Sequence, residues 1–277
     1  MDGGEGLDRE SVLRDYEEYQ RQGRVWGQVS VERIRRIRFP RTDRATIEQY
    51  LELEELTTTI SDALDRRGIK GAVSAARVSP LQTGRRMVGN AITQRAIAER
   101  KTPTQGWLDS SPINMSTREI YSLAEPGDVF VTDCSGNVDI SNFGGQSALA
   151  AKSHGLAGAI VNGAVRDVAT LRRIDYPVWA AGATPISGKY RIETVEINGP
   201  VMLYDVTVHP GDLIAADDSG ICVVPAEHIA DVLEEAQASA RKEAHVRSLL
   251  KAGADIATLR PLYHKHEPRD DAASLGS

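Results

Sequence analysis

The reading turns on Gly144–Gly182, "GGQSALAAKSHGLAGAIVNGAVRDVATLRRIDYPVWAAG". A double glycine opens a run of good helix formers that stops at Gly155. "LAGAIVNG" is a short apolar run with strand character, "RDVATLRRI" a short helix and "PVWAAG" a second strand. Upstream, "PGDVFVTDCSG" predicts a strand over Asp128–Thr132 between turn formers. Strand, helix, strand, helix, strand is the order of an α/β layer with right-handed crossovers.

Outward from this segment the pattern is less regular. After Pro200, "VMLYDVTVHPGDLIAADDSGICVVP" reads as antiparallel strands with short connections, and Ala226–Lys251 as an amphipathic helix. Residues 69–100 read as strands joined by loops, and Lys101–Thr117 as a long loop rich in turn formers. Thr46–Arg67 has helical spacing, with Thr57–Thr59 as the expected break and Gly68 as the stop. Ser61 or Asp62 is an expected helix cap. Residues 8–38 are expected to form one or two helices outside the main core. The expected organisation is a helical extension over 1–45, a catalytic domain over 46–251 and a loosely held tail over 252–277.

Composition narrows the function classes. The chain has 277 residues, 41% hydrophobic, 26% charged and 5% aromatic, with net charge −6, the profile of a globular protein whose overall field repels nucleic acid and anionic lipid. Arg33, Arg35, Arg36, Arg38, Arg41 and Arg44 form a local basic cluster, readable as a solvated or subunit-contact face or as a site for RNA or an acidic partner. Cys134 and Cys222 are the only cysteines, too few for a disulfide framework. With no apolar signal-peptide region and no run long enough to span a membrane, the expected location is the cytoplasm.

Several chemistries drop out by motif. There is no Walker A, dinucleotide fingerprint, zinc-protease helix or nucleophile elbow. "DCSGNVD" at Asp133–Asp139 has oxygen side chains at alternate positions, but Val138 and Gly144 stand where a calcium loop needs glycine and glutamate. Asp133 and the pair Asp217-Asp218 then read as turn residues, and the scattered histidines as structural. His264 and His266 could chelate a metal adventitiously.

Two features carry chemistry. Gly144 and Gly145 precede a helix whose first-turn N–H groups can cradle a carboxylate, although a double glycine is also an ordinary turn. Arg166 and Asp167 follow an apolar strand, with Asn162-Gly163 as the expected turn, where α/β sheets place ligands. Arginine can grip a carboxylate, and aspartate is a hard ligand for Mg2+ or Mn2+. The same pair also fits a helix cap with its salt bridge.

"TTTISDALD", "PGDVFVTDCSG", Gly145-x20-Arg166-Asp167, "PVWAAGATP" and "VHPGDLIAADDSGICVVP" occur in family order over about residues 50–240. Together they resemble the RraA-like family, which includes 4-hydroxy-4-methyl-2-oxoglutarate aldolases, oxaloacetate decarboxylases and proteins named as regulators of ribonuclease E activity. The resemblance implies an α/β fold, an αββα sandwich, here with added N-terminal helices and a C-terminal helix. It also implies a trimer or dimer of trimers with sites between subunits.

By position, the resemblance assigns 2-oxo acid contact and catalysis to Arg166, the divalent metal (Mg2+ or Mn2+) to Asp167, and carboxylate binding to the amides of Gln146 and Ser147 beside Gly145. Gly145 and Thr170 depart from the aldolase pattern, which carries carboxylates at both places. The expected activity is a metal-dependent lyase acting on a small anionic 2-oxo acid. A dehydratase, hydrolase or isomerase on the same scaffold, and a non-enzymatic regulator of an RNA-processing enzyme, are the alternatives.

Overall fold

The computed structural model describes residues 9–263. The chain begins with α1 (Arg9–Arg21), a 3-10 turn at Val31–Arg33, α2 (Arg44–Leu51) and α3 (Leu56–Arg66). Then come β1 (Ala72–Ser74), β2 (Ser79–Pro80), β3 (Met87–Ala98), α4 (Pro103–Leu108) and α5 (Arg118–Leu123). β4 (Val129–Asp133) and β5 (Ser141–Phe143) lead into the glycine-rich segment, which forms α6 (Gly145–Ser153), β6 (Gly158–Val165), α7 (Val168–Arg173) and β7 (Val178–Ala183). Next are β8 (Ile192–Ile197), β9 (Val201–Leu203), β10 (Val206–Val208), β11 (Leu213–Ala216) and β12 (Gly220–Val224). A 3-10 turn at Ala226–His228 leads into α8 (Ile229–Lys251), and α9 (Ile256–Tyr263) follows.

The main sheet is mixed, in the order β1-β12-β11-β3-β4-β6-β7-β2, with β5 beside β6 and β8 beside β3. β3, β4, β6 and β7 run parallel, and β11, β12 and β1 are antiparallel additions. β3 belongs to both halves: Met87–Asn90 pair with β11, and Ala91–Arg95 pair with β4.

Alternation along the strands sorts the side chains into three layers of core. Val129, Val131, Ile160 and Trp179 share one apolar cluster with Met87, Ile214, Ile221 and Val223. Their neighbours Phe130, Ala159, Val161 and Val178 face instead the cluster that holds Val12, Ile120, Ala148 and Leu171 from helices. Val88, Leu213, Ala215 and Cys222 meet Leu56, Ile60, Val232 and Leu233 from α3 and α8. Helices, sheet, sheet and helices therefore stack in that order, and the expected α/β sandwich with N-terminal helices and a long C-terminal helix is present.

The structure corrects several local expectations. The break between the first long helices falls at Glu52–Glu55, and Thr57–Thr59 lie inside α3, as do Ser61 and Asp62. The reason is long-range: the Asp217 carboxylate, from the turn after β11, accepts the Thr57 N–H at 3.0 Å and its hydroxyl at 2.6 Å, capping α3. Asn162 and Gly163 form no turn but continue β6 to Val165. Asp133 ends β4 buried, accepting from Ser135 N, Asn162 Nδ2 and Met202 N. The stretch 101–117 contains α4, capped by Thr102 with Pro103 at its start. The expected tail includes α9, while His264 and His266 lie outside the described residues.

The N-terminal extension also differs from the expectation. Val12, Tyr19, Val29, Ile34 and Ile37 are buried in the same core as Phe130. The fully buried Glu119 carboxylate accepts four consecutive backbone N–H groups, from Trp26, Gly27, Gln28 and Val29, at 2.8–3.3 Å. A buried carboxylate is tolerated only when its lone pairs are met, and four amides meet them.

The basic cluster is largely consumed in pairs: Arg33 with Glu193, Arg35 with Glu196, Arg38 with Glu18, Arg41 with Asp128 and Arg44 with Glu48. Among the described residues, no helix is long and apolar enough to cross a membrane.

Candidate active site

β5 lies parallel to β6 with Phe143 opposite Val165, and Arg166 N donates to Phe143 O at 2.9 Å. That register brings the two chain segments that leave the strands, Gly144-Gly145 and Arg166-Asp167, side by side. Asp167 adopts left-handed backbone angles, φ 57° and ψ 37°, before α7 and makes no side-chain cap there. Its Oδ2 accepts instead the N–H of Gly145, the first residue of α6, at 3.1 Å. The helix-cap reading of Asp167 is thereby corrected: the carboxylate serves the N-terminus of α6, not that of its own helix.

The approach is close enough that a side chain at either glycine would have to displace its neighbours. A Cβ on Gly144 would lie 2.9 Å from Asp167 Oδ2 and 3.0 Å from Arg166 Cγ, and one on Gly145 would lie 2.8 Å from Thr170 Cγ2. The two positions at which this chain departs from the aldolase pattern thus touch each other, and the methyl of Thr170 occupies the space beside Gly145.

A cavity of about 200 Å³ opens at this junction. Gln146, Ser147, Arg166 and Asp167 line it, joined by Gln28, Met115, Thr117, Arg118, Asn142 and Ser187. The extension and the 101–117 stretch therefore reach the pocket. Arg166 Nε stands 3.6 Å from Asp167 Oδ2, with both side chains close to half exposed. With the Gly145 N–H taken by Asp167, Gln146 and Ser147 carry the remaining first-turn donors of α6, whose partial positive charge favours an anion.

Neutral oxygens complete the lining. Thr117 and Ser147 hydroxyls pair at 3.2 Å. Asn142 donates to Thr132 Oγ1 at 2.6 Å, while its own buried Oδ1 has no partner among the described residues. Gln28, Thr117, Arg118, Asn142 and Ser187 carried no sequence signal, because each joins the pocket only through contacts between distant segments.

Among the described residues, no group of three or more His, Cys, Asp or Glu is placed to hold a metal. The donor set still suits one kind of ion. Mg2+ and Mn2+ keep several waters and take one or two carboxylates, with the remaining positions left to oxygens of the substrate. Asp167, with one oxygen engaged by Gly145 and its side chain accessible, fits that pattern and not the closed nitrogen–sulfur shell of a structural zinc.

Comparison with known proteins agrees with this architecture. The chain is 32% identical over 181 residues, 65% of its length and 78% of the relative's, to a protein of Halalkalibacterium halodurans named "Putative 4-hydroxy-4-methyl-2-oxoglutarate aldolase". It is 30% identical over 214 residues to Protein DlpA of Legionella pneumophila, covering 76% of this chain but only 32% of that longer protein. A crystal structure of an uncharacterized protein from Pseudomonas syringae pv. tomato superposes with a TM-score of 0.67 at 25% identity, covering 80% of this chain and all of that one. Residues 57–223 match the family described as RraA-like, Aldolase/RraA. With that match spanning more than half of the chain and the Arg166-Asp167 junction inside it, the protein belongs to the RraA-like family.

Proposed function

We propose that the protein is a divalent-metal-dependent lyase that cleaves a C–C bond of a small anionic 2-oxo acid, by retro-aldol cleavage or decarboxylation. The observation that carries this reading is the convergence of Arg166, Asp167 and the first turn of α6 on one cavity. Family membership and the aldolase names of relatives support it.

In this reading the substrate's C1 carboxylate docks on the N–H groups of Gln146 and Ser147, where the helix dipole and unpaired donors favour an anion. Arg166 lies beside the C2 oxygen and stabilises the negative charge that develops there as the bond breaks and an enolate forms. Asp167 would hold the cation. When bound, Mg2+ or Mn2+ supplies Lewis-acid polarisation of the 2-oxo group. Asp167 stays placed because the Gly145 amide binds one of its oxygens, so the carboxylate is positioned before substrate arrives. The same reading carries the homo-oligomeric assembly, a trimer or dimer of trimers, that the family resemblance implies.

A second outcome on the same chemistry, loss of water or isomerisation, is favoured by one observation. The space beside Gly145 is filled by Thr170, so neither position supplies a carboxylate for proton transfer. Coupled detection of pyruvate from oxaloacetate and 4-hydroxy-4-methyl-2-oxoglutarate, with and without EDTA, tests the proposal. Metal-dependent pyruvate supports the lyase; consumption of substrate without pyruvate supports the second outcome. The RNA-regulator reading rests on the basic cluster, five of whose arginines face carboxylates of this chain.

A further inference from the structure

The cavity lining contains two arginines and one aspartate. Arg166 sits against Asp167, whereas Arg118 forms no ion pair among the described residues. Its guanidinium lies 5.5 Å from the centre of the Trp26 ring, which gives the cation a flat support without neutralising it. Trp26 and Gln28 are held beside it by the next residue in the chain: the Glu119 carboxylate binds the N–H groups of residues 26–29. Gln28 accepts the Ser116 hydroxyl at its Oε1, at 2.9 Å, which leaves its Nε2 as a donor at the cavity. The chain as a whole has net charge −6, so an unneutralised arginine at this opening is a local feature set against the global field.

We infer that Arg118, assisted by Gln28, binds the distal carboxylate of a dicarboxylic 2-oxo acid and selects it over monocarboxylic analogues. The inference rests on the reading of the cleft as a 2-oxo acid site. The near end of such a substrate is served by α6 and Arg166. A second carboxylate entering the same cavity would otherwise meet no uncommitted cation, and desolvating it unpaired would be costly. A planar guanidinium supplies two parallel donors to a carboxylate, which an ammonium cannot. Arg118 is thus a specificity-determining residue, and the extension contributes to selectivity through Trp26 and Gln28.

The test compares two acids that this chemistry does not cleave, 2-oxoglutarate and 2-oxobutanoate, by calorimetry on the full chain with Mg2+. The wild type is expected to prefer 2-oxoglutarate, and Arg118→Ala to reduce that preference by about ten- to a hundredfold, the size of a lost charge-assisted hydrogen bond. Arg118→Lys is expected to recover only part of it, and thermal melting checks that the variants fold. Equal wild-type affinities, no binding of either acid, or a preference that survives in Arg118→Ala overturns the assignment. An intact, Arg118-dependent preference without pyruvate formation from any 2-oxo acid would instead sink the lyase reading alone.

Discussion

Asp167 Oδ2 accepts the backbone N–H of Gly145 at 3.1 Å, joining the end of β6 to the start of α6 across 22 residues. The bond explains why a non-glycine residue is held at φ 57° there. Left-handed backbone costs an ordinary side chain about 1 kcal/mol, and asparagine and aspartate tolerate it best.

Asp167→Asn therefore separates chemistry from folding. Its amide oxygen still accepts from Gly145 and its backbone keeps the same conformation, so the melting temperature is expected to stay within a few degrees of wild type. Metal-stimulated turnover is expected to fall by about a hundredfold or more, because the neutral amide is a weak ligand for Mg2+. Calorimetric metal binding and a pyruvate assay on one preparation read both quantities. Full metal-stimulated activity in this variant would remove Asp167 from the metal site.

Gly145→Asp restores a carboxylate that the aldolase pattern carries, but its Cβ would stand 2.8 Å from the Thr170 methyl. The single change is expected to destabilise by about 1–3 kcal/mol through overpacking. Thr170→Ser deletes that methyl, so the double variant is expected to recover most of the loss. A double-mutant cycle in urea measures the coupling; additive effects would show that the two side chains do not compete for space.

Glu119→Ala leaves four backbone N–H groups around residues 26–29 without their acceptor. A cost of about 3 kcal/mol is expected, together with faster amide exchange in that segment. Because Gln28 lines the cavity, KM is expected to rise more than kcat falls. Unchanged exchange at residues 26–29 would show that the strap is held by other contacts.

Burial pushes the thiols of Cys134 and Cys222 up to about 12 from an ordinary 9.0. Both are buried and free, so neither should react with a thiol reagent at pH 8 until the protein unfolds. A folded-state value above the unfolded one means that the stabilising contribution is complete below pH 9 and is lost as pH rises toward 12. Urea midpoints are expected to fall over that window, and Cys222→Ala to flatten part of the fall. Rapid labelling of the native protein at pH 8 would contradict the burial.

Much of the sandwich was legible from local signals. Strand and helix alternation from "PGDVFVTDCSG" to "PVWAAG" is written in short-range patterning and turn residues, and it places Arg166 and Asp167 beyond an apolar strand, although the strand runs on through the expected turn at Asn162-Gly163 to Val165. The position of the α2–α3 break was not legible, because the cap comes from Asp217, 160 residues away from Thr57.

The sequence by itself thus determined that a strand and a helix lie at β6 and α6 and where the reactive pair falls along the chain, since periodicity and glycine punctuation act over a few residues; the end of β6 it did not determine. Only the tertiary structure decided that Asp167 turns its carboxylate to Gly145, that Thr170 fills the space beside it, and that Gln28, Arg118 and Asn142 meet around the same cavity. Those relationships depend on strand register and on a buried carboxylate gathering a distant loop, and such pairings leave no periodic trace in the chain.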